Sequence, residues 1–104
     1  MRVLLINPPI DAVLRNGHAS PVTAFLFFNS APLGLLYIAA ALLEAGHVVD
    51  VIDAAAERLD VAGTVRRALA FRPDVLGLGS TTVGFQSAVE LAEALDGELP
   101  SVPI

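Results

Sequence analysis

The chain has no cysteine, no lysine and no glycine-rich turn behind its first hydrophobic run. Each absence removes a class of function. Without cysteine there is no disulfide, no iron–sulfur cluster and no thiolate zinc site within these residues. Without lysine there is no phosphate-binding P-loop lysine, no Schiff base, and no lysine of the kind a phosphorylated receiver domain needs. All six basic residues are arginines, and the eleven acidic residues leave a formal charge of −5. An acidic chain without a basic stripe is a poor nucleic-acid binder. Charge is also missing locally, since no Asp, Glu, Lys or Arg lies between Asn16 and Leu43. A bilayer span takes about 20 apolar residues, but Asn29, Ser30, Pro32 and Gly34 split this window into "AFLFF" and "LGLLYIAAALL". Neither piece is long enough, so no membrane span is expected. The apolar run Val3–Ile6 is too short before Pro8 for a secretory signal. A cytoplasmic location is the expectation.

What the chain has in excess is apolar surface. Its 104 residues are 55 % hydrophobic, with a mean hydropathy of +0.69. That length allows one small domain, and small domains leave much of their surface wet. Part of the apolar surface is therefore expected to meet a second domain, a second copy of the chain, or a large ligand.

The order of elements reads as strand, long loop, helix, strand, helix, strand, helix. "RVLLIN" (Arg2–Asn7) is a buried strand that stops at Pro8-Pro9, where prolines offer no backbone donor. A loop follows to Pro32. The first helix is expected over about Leu33–Ala45, with Gly46 as its stop. "HVVDVID" is an edge strand by its initial alternation. The second helix covers about Val61–Phe71, with Val61, Val65, Ala68 and Leu69 on its inner face and Thr64, Arg66 and Arg67 off it. "RPDVLGLGS" holds an apolar third strand over Val75–Leu78. The third helix, about Gly84–Leu95, carries Phe85, Ala88, Ala92 and Leu95 on one stripe. "PSVPI" reads as the start of a fourth strand.

Alternating strands and helices imply a parallel α/β sheet. The expected architecture is a three-layer, flavodoxin-like (Rossmann-like) doubly wound fold, strand order 2-1-3(-4), with the fourth and fifth strands largely missing. Ligands of such sheets bind at the switch point, here between Asn7-Pro8-Pro9 and Ser80-Thr81-Thr82. The first helix has Glu44 as its only charged residue. It is therefore expected to be covered on its outer side as well.

Several chemistries fail on the residues. A dinucleotide site needs glycines after the first strand, and Asp53 alone, although placed like a ribose-binding acid, more commonly opens a loop. A receiver domain needs an acidic pair and an Asp ending the third strand, whereas Asp74 precedes that strand. Asp11 and His18 share the long loop without a second ligand in metal-binding spacing, and His47 follows a helix end. No nucleophile–base pair assembles, and no catalytic residue or metal ligand is expected within this chain. "GSTTVG" remains. One of Thr81 and Thr82 can cap the third helix, but three hydroxyls between Gly79 and Gly84 exceed what a cap requires. They fit a polar edge of a ligand.

"MRVLLINPP", "PLGLLYIAAALLEAGHVVDVID" and "RPDVLGLGSTT", in this order, resemble the N-terminal cobalamin-binding domain of B12-dependent radical S-adenosylmethionine enzymes. These include methyltransferases and anaerobic magnesium-protoporphyrin ester cyclases. The resemblance runs through essentially residues 1–104. It implies a module that positions cobalamin, as a methyl carrier, against a downstream radical domain. Asn7, Pro8 and Pro9 would line the pocket, Pro32, Leu33 and Gly34 would start a helix at the corrin edge, and Ser80, Thr81 and Thr82 would face the corrin or its nucleotide tail. S-adenosylmethionine and a [4Fe–4S] cluster would belong to the missing part of the parent enzyme. The cobalt-ligating D-x-H-x-x-G motif of other B12 domains is absent, with Val13 where its His would stand after Asp11. The alternative expectation is a non-catalytic α/β module forming a homodimer through its apolar helix.

Overall fold

The computed structural model describes residues 1–10, 20–22, 25–26 and 30–104. Three parallel strands form one sheet in the order β2-β1-β3, with β1 at Arg2–Asn7, β2 at Val48–Asp53 and β3 at Val75–Leu78. Helices α1 (Leu33–Glu44), α2 (Val61–Phe71) and α3 (Phe85–Glu98) complete the flavodoxin-like α/β arrangement. Residues of a strand alternate between faces, and β1 uses both. Val3 and Leu5 pack with Leu35, Ala39 and Leu42 of α1, whereas Leu4 and Ile6 pack with Val65, Ala68, Leu91 and Leu95 of α2 and α3. Hence the run Val3–Ile6 has no polar residue: helices cover both sides of it.

Local signals set the element ends. Asp60 accepts a bond from Gly63 N (2.7 Å) as the N-cap of α2. Helix α1 ends in a pair of reversed bonds, Gly46 N to Leu43 O (3.0 Å) and His47 N to Leu42 O (3.1 Å). Gly46 has φ +91°, which glycine adopts without strain. At the opposite end of the sheet from the strand C-termini, Arg2 latches β1 to the α2–β3 turn. Its guanidinium donates to Phe71 O (2.6 and 3.0 Å) and lies 4.4 Å from the Phe71 ring centre, while its N–H donates to Asp74 (2.7 Å).

The structure departs from the sequence expectations in particulars. Thr64 is fully buried rather than off the inner face of α2. Its hydroxyl donates to Asp60 O (2.8 Å), so burial leaves no unmet donor. Phe85 is exposed, and α3 instead buries Ser87, Ala88, Leu91 and Leu95 and continues to Glu98. Leu76 N donates to Pro103 O (2.9 Å), and Val102 packs on the core, so the last residues begin to pair along the outer edge of β3. No helix among the described residues is long and apolar enough to cross a membrane.

Helix α1 buries only Ala39 completely. Leu33, Leu36, Tyr37, Ile38 and Leu43 are exposed, and so are Phe25 and Leu26 from "AFLFF"; the other residues of that segment lie outside the described ones. The outer cover expected for this helix is not supplied by the described residues.

Leu91 is wholly buried between α2 and the sheet. Leu91→Ala is expected to lower unfolding free energy by about 2–5 kcal/mol, measured by urea denaturation. Tyr37→Ser, on the uncovered face, is expected to change it by less than about 0.5 kcal/mol.

Candidate functional site

The C-terminal ends of β1 and β3 lie side by side, with Ile6 opposite Leu78 and Gly79 N donating to Ile6 O (3.0 Å). Beyond Ile6 the chain turns at Asn7-Pro8-Pro9. Asn7 ties this turn to β2 twice: its carbonyl accepts from Ala54 N (3.0 Å), and its Nδ2 donates to Asp53 Oδ1 (2.9 Å). The same Asp53 oxygen accepts from Ala56 N (3.2 Å). Asp53, which in a dinucleotide fold would face a ribose, here organises the β2 exit and holds the Asn7 side chain. Pro8, Pro9 and Ile10 are buried, giving this side of the site a firm apolar wall in which the two prolines carry no N–H.

The β3 rim is polar and more open. Ser80 Oγ donates to Thr81 O (2.9 Å), and Thr81 Oγ1 accepts from Gly84 N (3.1 Å). Thr81 thus closes the turn ahead of α3, but it does not cap the helix. Gly84 occupies the N-cap position and has no side chain with which to cap the first turn. Helix α1 likewise starts at Pro32 without a side-chain cap. Both helices therefore begin at this end of the sheet without a capping side chain from their own N-cap residue.

A cleft of about 420 Å³ lies between these segments. Asn7, Pro8, Pro9, Pro32, Leu33, Gly34, Ser80 and Thr81 all line it. Thr82 does not; it is exposed beside Thr81. Gly79 and Gly84 line it as well. Sequence reasoning missed Ile10, Leu35, Ile38 and Leu78. Ile38 had a readable signal, because it follows Gly34 by one helical turn and shares its face. Leu35 had none, since nothing local reveals that a helix residue touches the end of β3.

Among the described residues, none that lines the cleft is ionisable. Among the described residues, no three His, Cys, Asp or Glu side chains gather closely enough to hold a metal ion. His47 sits at the other end of the sheet, with Nδ1 3.3 Å from the Met1 amine. Asp11, Val13 and His18 lie outside the described residues. The cleft offers apolar walls, a few hydroxyls and backbone amides. Its volume falls in the range of small-ligand sites, roughly 300–1,000 Å³, and it is open enough to seat part of something larger.

The family model described as the B12 binding domain matches residues 20–104. The chain is 30 % identical over 95 residues to an uncharacterized methyltransferase of Pyrococcus horikoshii, a match covering 89 % of this chain and 18 % of that protein. It is 38 % identical over 79 residues to the anaerobic magnesium-protoporphyrin IX monomethyl ester cyclase of a Synechocystis strain, covering 76 % of this chain and 14 % of the cyclase. The chain thus spans less than a fifth of the length of these curated relatives. No solved structure matches it significantly.

Asp53→Ala removes two hydrogen bonds at the β2 exit. It is expected to destabilise the chain by about 1–3 kcal/mol, read by urea denaturation, and to perturb the Asn7 side-chain amide resonances. Asp53→Asn, which keeps an acceptor oxygen, is expected to restore most of both.

Proposed function

This chain belongs to the B12-binding domain family, and on that premise we propose that it seats cobalamin, as a methyl carrier, beside a radical S-adenosylmethionine domain of a larger enzyme. The observation that carries this reading is the cleft between the β1 and β3 rims, lined among the described residues by apolar and uncharged side chains, at the switch point of the sheet. A corrin is a broad, largely apolar ring fringed by amide arms. Leu33, Gly34 and Ile38 offer it an apolar edge, and Pro8 and Pro9 a wall that asks for no hydrogen bond. Ser80 and Thr81, the backbone at the start of α1 and the neighbouring Thr82 are available to the polar fringe. No charged group among the described lining residues has to be stripped of water when such a ring docks.

Bound cobalamin supplies a cobalt centre on which a methyl group can be carried. The residues of this chain bind the ring, orient it and keep water from the face they cover. None of the described lining residues is a His, Cys or Met, so these walls would orient the ring without ligating its metal. S-adenosylmethionine and the [4Fe–4S] cluster belong, in this reading, to the rest of the enzyme.

A second reading rests on the exposed apolar residues of α1. In the leading reading a neighbouring domain covers them; in the second, another copy of the chain does. Light scattering separates the two. A monomer is expected, whereas a stable ligand-free dimer that Tyr37→Asp disperses would favour the second.

Hydroxocobalamin is expected to co-elute with the chain in gel filtration, with the visible spectrum of the bound corrin. Ile38→Asp places a carboxylate on the apolar edge and is expected to weaken binding by about tenfold or more with little change in thermal stability. Cobalamin that elutes free of the unmodified chain would refute a seat formed by these walls.

A further inference from the structure

One contact joins the helix start to the strand end beneath the cleft. Gly79 follows β3, is half-buried and donates its N–H to Ile6 O (3.0 Å). A Cβ placed on it would lie 3.1 Å from Leu35 Cδ1, 3.3 Å from Cγ and 3.5 Å from Cδ2. The whole end of the Leu35 side chain therefore rests on the Gly79 backbone. Leu35 also belongs to the cluster formed with Val3, Leu5 and Ala39 on the α1 face of the sheet, and it lines the cleft. Its inner side is packed and its outer side faces the open volume.

We propose that Leu35 seated on Gly79 is the floor that sets the depth of the cleft, and that residue 79 determines which ligands fit by its lack of a side chain. The inference rests on the cofactor reading above and goes beyond it by naming the contact that tunes the seat. A methyl group on residue 79 forces Leu35 to give way by a few tenths of an ångström. The densely packed sheet face resists, so the displacement goes towards the cleft. The floor rises, and a rigid planar ring can no longer settle. Leu35 is a flexible side chain at the margin of the core, so the fold tolerates the change. The effect appears in the ligand, with little in stability.

The test is a double-mutant cycle of the unmodified chain, Gly79→Ala, Leu35→Ala and the double variant, titrated with hydroxocobalamin by visible absorbance. Gly79→Ala is expected to weaken binding roughly tenfold. In the Leu35→Ala background the same change is expected to cost less than about twofold, because the clashing group is gone. An equal penalty in both backgrounds, or none in the first, overturns the proposal. Methyl NMR of Leu35 provides a second readout that needs no ligand. Gly79→Ala is expected to shift the Leu35 methyl resonances and strengthen their contacts with Ile38, and unchanged resonances would also overturn it. If the unmodified chain binds no hydroxocobalamin while the Leu35 methyls shift as expected, the cofactor reading fails and the floor contact stands.

Discussion

The structure depends on the placement of β1 as the central strand of a parallel sheet. Four consecutive apolar residues, Val3–Ile6, are buried because helices cover both faces of the strand that carries them. The two hydrogen-bonded neighbours of β1 then determine everything at its C-terminal end. β2 supplies Asp53 to hold Asn7, and β3 brings Gly79 and the hydroxyl loop alongside. The opposite end, latched by Arg2 onto Phe71 and Asp74, is closed by charge-assisted and backbone bonds. The cleft lies at the other end, where the strand C-termini meet.

At that end the protein has little polar chemistry to spend. The Asn7 side chain is occupied by Asp53, and Ser80 and Thr81 bond within their own loop. A hydroxyl keeps spare acceptor capacity after one bond, so these rim residues can still meet a ligand. The backbone at the start of α1, whose N-cap residue Pro32 offers no capping side chain, lines the cleft beside them. Apolar walls with a sparse polar rim suit a large neutral ring better than a phosphate or a sugar. This matches membership of the B12-binding domain family.

The uncovered face of α1 has the same origin as the cleft. A helix with Glu44 as its sole charge would be a poor surface helix in a protein that stood alone. Leu33 and Ile38 belong both to this exposed face and to the cleft wall, so the seat and the apolar surface are continuous. Whatever covers one therefore approaches the other.

The sequence by itself determined the order of elements, the parallel architecture and the pair of strand ends that meet. Those properties follow from hydrophobic period, from Pro, Gly and Asp at element ends, and from topology rules that leave few alternatives. Its reading of single faces was weaker. Thr64 was placed outside because a hydroxyl looks polar, yet a bond to the carbonyl four residues earlier lets it be buried. Phe85 was placed inside because it is large and apolar, yet the first turn of α3 presents Ser87 and Ala88 to the core instead. The tertiary structure alone decided that Asn7 serves Asp53, that Thr82 stands outside the cleft, and that Leu35 forms its floor on Gly79. Each of these depends on distances between segments remote in the chain, which local pattern cannot encode.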